Sequence, residues 1–366
     1  MIRAVIVDDE APARDRMRRL LSATGVEVEI VGEAEDGLEA VSRIDALAPD
    51  LVFLDIQMPA LSGLEVAARL QAPRPRIVFC TAYDRFAVDA FELHAVDYLL
   101  KPVNRDRLAR TVERIAGQIV EQHRTARERN EAVRTQMRLM PAAAPGESGL
   151  ECAGTCVPAD GVGGDYYDFL PLGSGRLGIA LGDVSGKGMY AGLLAAAVQA
   201  RLQAITARGA ESPAAVMTEL NRLTAGTIEG NRFATVFFGA FDPESSSLTY
   251  ANAGHPPPIV LSAEGNVRML DVTGAVVGWS ADAAFEQRSI TLAPGDVLAV
   301  YSDGLSEATA PDGRELGVEG LIAILRRHAS LPARQIVEAA LSDIRDFCAG
   351  AAAGDDRTLV VSRVRQ

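Results

Sequence analysis

Over the first hundred residues five short strand-like runs, the first of them continuously apolar, alternate with helical stretches, and no other pattern in the chain restricts its fold as much. The runs are Ala4–Val7, Val26–Gly32, Leu51–Leu54, Arg76–Cys80 and Asp97–Leu100. Helical patterning fills Ala11–Ser22, Leu38–Ala46, Gly63–Leu70 and Ala87–Leu93 between them. Runs that are apolar without alternation mark strands buried on both faces. Strand–helix alternation of this kind predicts a doubly wound parallel sheet. In such sheets the reactive groups lie outside the carboxyl ends of the strands. Those ends carry Asp8 and Asp9, Asp55, Thr81 and Lys101. Three carboxylates on one edge repel one another and suit a divalent cation. A metal-bound carboxylate can act as nucleophile toward a phosphoryl donor. Lys101 can neutralise the added charge and Thr81 can hydrogen-bond to it. Helix capping explains one Asp, but not one at the end of each relevant strand together with Lys-Pro.

These residues, with Met58-Pro59, Ala82, Tyr98 and Pro102, resemble the receiver domain of two-component response regulators over about residues 1–120. The resemblance implies a flavodoxin-like five-stranded sheet with Asp55 as phosphoacceptor and a sensor histidine kinase as partner. It further implies Mg²⁺ held by Asp8, Asp9, Asp55 and the Gln57 carbonyl. Thr81 and Tyr98 would form the switch pair beside Lys101, and Lys101-Pro102 would be cis, which proline permits. The stretch from Tyr83 to Tyr98 looks most like receivers that carry a DNA-binding output, but the remainder of this chain does not read as such an output.

From Asn104 to about Met140 the chain is polar, Arg-rich and free of Gly and Pro except Gly117, so it reads as one long helix within a linker spanning 104–145. Val112, Ile119, Ala126, Val133 and Met140 recur every seven residues, which is coiled-coil spacing. Leu108 and Ile115 occupy the other seam position, but Gln122, Arg129 and Gln136 then spoil it. The reading is a marginal parallel coiled coil and a homodimer, against a solvated spacer helix. Met140-Pro141 through Pro145-Gly146 ends the helix and marks a boundary.

Beyond it, Leu177–Val184 is a buried strand that delivers Asp183 to a turn with glycines at 186 and 188. Asp165 follows the glycine turn Gly161-Val162-Gly163-Gly164, Asp303 follows the strand Asp296–Tyr301, and Asp355 precedes the strand Thr358–Val364. Four carboxylates, each near glycine, fit a two-metal oxygen site. No His or Cys cluster points to zinc. His255, in Asn252-Ala253-Gly254-His255-Pro256, reads chiefly as a structural turn residue. Composition narrows the classes: a net charge of −13 argues against a nucleic-acid surface, and no apolar run is long enough to span a bilayer. The start lacks signal-peptide character. Cys80, Cys152, Cys156 and Cys348 read as reduced thiols of a cytoplasmic protein.

Six blocks carry a second resemblance. They are Val162–Asp168, Gly182–Gly188, Phe233-Ala234-Thr235, Asn252–Pro256, Ser302-Asp303-Gly304 and Asp355–Thr358. Over residues 147–366 they resemble the PPM family of metal-dependent Ser/Thr protein phosphatases, in its SpoIIE/RsbU-type branch. That likeness implies an α+β domain with a β-sandwich flanked by helices. Two Mn²⁺ or Mg²⁺ would be held by Asp165, Asp183, the Val184 carbonyl, Asp303 and Asp355. The substrate would be a phosphorylated Ser/Thr regulatory protein such as an anti-sigma-factor antagonist. Lys187 stands where many relatives have His. The rival reading is a non-catalytic, phosphatase-like adaptor.

Overall fold

The computed structural model describes residues 1–70, 74–83, 93, 95–141, 143–144, 148–209, 212–228, 232–351 and 353–365, so most of the helix expected at Ala87–Leu93 lies outside the described residues. The chain forms two compact units, Met1–Arg127 and Glu128–Gln366.

In the first unit, β1 (Ile2–Val7), β2 (Val28–Ala34), β3 (Leu51–Leu54), β4 (Arg76–Thr81) and β5 (Asp97–Leu100) form one parallel sheet in the order β2-β1-β3-β4-β5. The order places β1 and β3 side by side, so Asp8 and Asp55 leave adjacent strands at the same edge. Helix α1 (Ala11–Ser22) starts with a proline in its first turn, and α2 (Gly37–Leu47) and α3 (Gly63–Arg69) start where the sequence supplies caps. The Asp36 side chain accepts from Leu38 and Glu39 amides, and Ser62 and Glu65 form a capping box. Helix α4 runs from Arg105 to Leu139. Its residues Leu108, Val112, Ile115 and Ile119 are buried among Ile6, Met17, Phe53 and Val78. The receiver end of the seven-residue step is therefore the stripe by which α4 packs on its own sheet, and these four side chains do not supply a seam for a second chain. The expectation of a good seam there is corrected on that ground.

The second unit contains two antiparallel five-stranded sheets. One is ordered β13-β10-β9-β8-β7, from Arg288–Thr291, Ser247–Ala253, Ala234–Asp242, Leu177–Val184 and Asp165–Pro171. The other is β12-β11-β14-β15-β6, from Val267–Met269, Ile259–Leu261, Val297–Tyr301, Arg357–Val364 and Leu150–Val157. Successive side chains of a strand point to opposite faces. Tyr167 and Phe237 accordingly join a core shared with Val300 and Val360 of the facing sheet. Their neighbours Tyr166 and Phe238 face α5 (Met189–Thr206) and α6 (Pro213–Thr224) instead. On the far side of the second sheet, α8 (Gly317–His328) and α9 (Ala333–Phe347) cover Ala299, Leu359 and Val361, and the one-turn helix α7 (Asp303–Ser306) follows β14. Each large apolar side chain so buried contributes roughly 1.5–3 kcal/mol. The result is a β-sandwich between helix pairs, as expected. Strands β6, β7, β12 and β13 were not legible as strands. Asp165 opens β7 rather than ending a loop, and it pairs in register with Asp183 of β8. Among the described residues, no helix is long and apolar enough to cross a membrane.

Candidate active sites

At the edge of the first sheet, Asp8 and Asp55 are buried and Asp9 is exposed, and carboxylate oxygens of the three all lie within 4.8 Å of one another. The Lys101 ammonium sits 2.7 Å from Asp8 Oδ2 and 2.5 Å from Asp55 Oδ2. Burial raises the Asp8 carboxyl, against the pull of Lys101. Burial works against the Lys101 charge, but hydrogen bonds to Asp55 and Asp8 prevail and raise its pKa. Thr81 is fully buried and its Oγ1 has no hydrogen-bond partner among the described residues. It lines the same cavity of about 620 Å³ as Asp8, Asp9, Asp55, Gln57 and Lys101. Tyr98 donates its hydroxyl to the Tyr83 carbonyl, and Lys101-Pro102 is cis. Arg14, which the sequence reading passed over, is buried and donates to the Asp8 carbonyl at 2.8 Å while pairing with Glu33 and Glu35. It holds the turn that carries Asp8 and Asp9.

In the second unit the aspartates come from four separate segments. Asp165 is 1% exposed, and its Oδ2 accepts from Thr358 Oγ1 at 2.5 Å. Burial and the neighbouring Asp183 push its pKa far up. Burial, then the charges of Asp303 and Asp355, push Asp183 up to about 7. Asp303, the first residue of α7, is also raised, by burial and by Asp355. Two glycines permit this crowding. A Cβ on Gly164 would lie 2.5 Å from the Val184 carbonyl oxygen and 3.3 Å from Asp183 Oδ1. A Cβ on Gly163 would lie 2.2 Å from Asp356 Oδ2. The Val184 amide donates to the Gly164 carbonyl, which fixes the two turns against each other. Lys187 donates to the Gly354 carbonyl at 2.6 Å and lies 3.5 Å from Asp355 Oδ2.

Three residues that sequence reasoning did not single out hold this arrangement. Asp356 accepts from the amides of Ala159, Gly164 and Asp165, so the two members of the Asp355-Asp356 doublet take different tasks. Thr358 anchors Asp165. Gln136, near the end of α4, donates Nε2–H to the Gly163 carbonyl at 2.7 Å and accepts the Gly163 amide at 3.0 Å. It is buried, and it satisfies both backbone groups of one residue in the aspartate-bearing turn. The signal for it was present, since Gln122, Arg129 and Gln136 recur every seven residues. Each meets a partner within its own unit: Arg76, Asp160 and Gly163. His255 is fully buried, bonded through Nδ1 to Thr235 and through its backbone to Asn252. Burial pushes its pKa down to about 3, so it is neutral at ordinary pH and shapes the Asn252–Pro256 turn.

Comparison with known proteins places both halves. A model described as "Response regulator receiver domain" matches residues 4–113. A model described as "Stage II sporulation protein E (SpoIIE)" matches residues 173–365, just over half of the chain. The chain belongs to the SpoIIE family. The phosphoserine phosphatase RsbU of Bacillus subtilis is 30% identical over 236 residues, which cover 63% of this chain and 68% of RsbU. A response regulatory protein of Vibrio cholerae is 47% identical over 119 residues, 32% of this chain and 50% of its own. The chain thus spans about half the length of the curated relatives that match its first unit. The SiaA-PP2C domain of Pseudomonas aeruginosa has the same fold at 23% identity, with a TM-score of 0.59 over 66% of this chain and 98% of that one. This SpoIIE-family chain therefore joins a region that matches the receiver-domain model to a SpoIIE domain with a PP2C-like fold.

Both sites have the donors for hard divalent ions, which such domains generally use. In the receiver the trio of close carboxylates offers the oxygen ligands that Mg²⁺ takes. In the phosphatase domain, the buried Asp165 beside the half-buried Asp183, both with raised pKa values, is a self-repelling pair that a cation relieves. The phosphatase aspartates are the wider set: among the described residues, only Asp8, Asp9 and Asp55 form a trio as close as 4.8 Å.

Proposed function

We propose that this response regulator acts in the cytoplasm as a metal-dependent protein-serine/threonine phosphatase whose rate is set by phosphorylation of Asp55. The observation that carries the reading is the pairing of Asp165 with Asp183, with Asp303 and Asp355 close enough to raise the Asp183 pKa. A non-catalytic adaptor has no use for mutually repelling carboxylates gathered around the buried Asp165. Asp165, Asp183, the Val184 carbonyl, Asp303 and Asp355 would hold two Mn²⁺ or Mg²⁺. Bound there, the ions would supply electrostatic stabilisation of an in-line displacement at phosphorus. The chain's own part is to fix the ligands: Thr358 orients Asp165, Asp356 and Gln136 grip the turn before it, and Gly164 lets the Val184 carbonyl approach.

In the receiver, Asp55 would take the phosphoryl group from a sensor histidine kinase, with Mg²⁺ held by Asp8, Asp9, Asp55 and the Gln57 carbonyl. Lys101 would meet the new charge, and the unpartnered Thr81 hydroxyl would find its acceptor. Likeness to the phosphoserine phosphatase RsbU supports a phosphoserine substrate, which we take to be carried by a regulatory protein of the anti-sigma-factor antagonist kind. Purified chain with Mn²⁺ should hydrolyse p-nitrophenyl phosphate and a phosphoserine protein, and EDTA should stop both. Saturable Mn²⁺ binding without any turnover of either substrate would leave the adaptor as the better account.

A further inference from the structure

We propose that Lys187 is the residue that receives the phosphoryl group of the substrate at the mouth of the phosphatase site. The inference rests on the phosphatase reading and names the group on the chain that meets the anion. Lys187 stands between Gly186 and Gly188, both with positive φ, and a Cβ at either glycine would meet nothing within 4 Å. The loop is open on both sides of the lysine. From it the ammonium reaches the Gly354 carbonyl and approaches Asp355, and its charge favours the ionised form of Asp303. It therefore stands over the carboxylate set, yet its side chain is 67% exposed.

Charge balance gives this position its meaning. Two divalent ions are matched by Asp165, Asp183, Asp303 and Asp355. A phosphomonoester brings a further charge of about −1.5 to −2 at neutral pH, and the aspartates offer it only repulsion. An ammonium has three donors. Here one goes to the Gly354 carbonyl and the ion pair to Asp355 spans 3.5 Å, so the exposed ammonium keeps donors to meet a ligand. A compact cation on a flexible four-carbon stem is a usual partner for phosphate. A lysine that served only to tie down the Gly354-Asp355 turn would gain nothing from that exposure.

Full-length protein carrying Lys187→Met or Lys187→Arg separates the two roles. Calorimetry gives Mn²⁺ affinity first, and then the affinity of the Mn²⁺-loaded protein for inorganic phosphate. Lys187→Met should leave Mn²⁺ binding within about twofold and weaken phosphate binding about tenfold, the loss of one charge-assisted contact. KM for p-nitrophenyl phosphate should rise in step while kcat stays within about threefold, and Lys187→Arg should recover most of the loss. Unchanged phosphate affinity in Lys187→Met overturns the proposal. So does a fall in Mn²⁺ affinity with normal phosphate binding at saturating Mn²⁺, which is the signature of a tether. A wild-type protein that binds phosphate through Lys187 but turns over no phosphomonoester would sink the phosphatase reading and leave this site standing.

Discussion

The receiver and the phosphatase domain each gather aspartates, by opposite means. In the receiver the sheet does the work. Asp8, Asp9 and Asp55 leave adjacent parallel strands at one edge, and Lys101 arrives from β5 as a built-in counter-charge. Little else is needed to bring the three carboxylates within 4.8 Å. In the phosphatase domain the four aspartates come from β7, β8, α7 and the turn before β15. They meet only because glycines let backbones approach, and because Asp356, Thr358 and Gln136 hold the turns. Lys187 pairs with that set only at its half-exposed rim, at Asp355, so burial and mutual repulsion prevail and raise the carboxyl pKa values of Asp165, Asp183 and Asp303. A parallel sheet collects charge by topology, whereas a sandwich collects it by packing.

The sharpest break of this comparison is to remove one ligand from each side. Asp183→Ala should lower Mn²⁺-dependent turnover by about a thousandfold or more, the loss of several kcal/mol of charge stabilisation. Acetyl phosphate should still add one phosphoryl group to that variant, read by intact mass. Asp55→Asn should show the reverse, with no phosphoryl uptake and basal turnover retained. Loss of both functions in either variant would mean that the two sites are not separate.

Packing, rather than ligation, is tested by Asp356→Asn. An amide can present only one acceptor oxygen to the amides that Asp356 now satisfies. Mn²⁺ affinity should fall about 10- to 100-fold, as for other residues that orient ligands, with the circular dichroism spectrum unchanged. Wild-type Mn²⁺ affinity in this variant would show that the turn holds itself.

The difference in counter-charge predicts a pH effect. Folding raises Asp183 to about 7, and raises Asp165 too. Groups shifted upward stabilise the folded state fully below their unfolded pKa, about 4, and that contribution disappears as pH rises through the folded value. Metal-free wild type should therefore lose stability between about pH 4 and pH 7 relative to Asp183→Asn. Denaturant titrations of both proteins across that range check the sign, and a gain for wild type over the variant would refute it.

The smallest effect is expected at Thr81. Its buried hydroxyl lacks a partner, so Thr81→Val should change the stability of the unphosphorylated chain by less than about 1 kcal/mol. A loss well beyond that would reveal a hydrogen bond the structure does not contain.

Legibility in the sequence divides along the same line. The receiver strands were legible because unbroken apolar runs leave few alternatives: Leu51–Leu54 and Asp97–Leu100 match the structure at both ends. In the phosphatase domain, β8 was clear, but β6 and β7 were not. Leu150–Val157 mixes Glu, Thr and Gly among its apolar residues, and Asp165–Pro171 carries two aspartates, so neither shows a clean period of two. Residues that act through backbone contacts left the faintest trace. Gln136 looked like a flaw in a coiled-coil stripe until its partner, a glycine peptide 27 positions later, was in view. Asp356 was hidden beside a better-placed twin. Side-chain chemistry announces ligands, but it does not announce what holds a turn still.

Asp165 and Asp183 have no ion-pair partner among the described residues, unlike Asp8 and Asp55, and this has a consequence for information flow. The receiver's carboxylates are already partly neutralised by Lys101, so the addition of a phosphoryl group is the event that changes that site. The phosphatase aspartates are at ease only when divalent ions are present, so ion supply is the event that changes theirs. On the proposed reading, one chain would read two scarce quantities by two physical means, a covalent mark at one end and an ionic activity at the other. Ions alone would then support the basal rate, and the covalent mark would adjust it. The chain's threshold for metal can drift with cell chemistry while its response to the kinase stays the same.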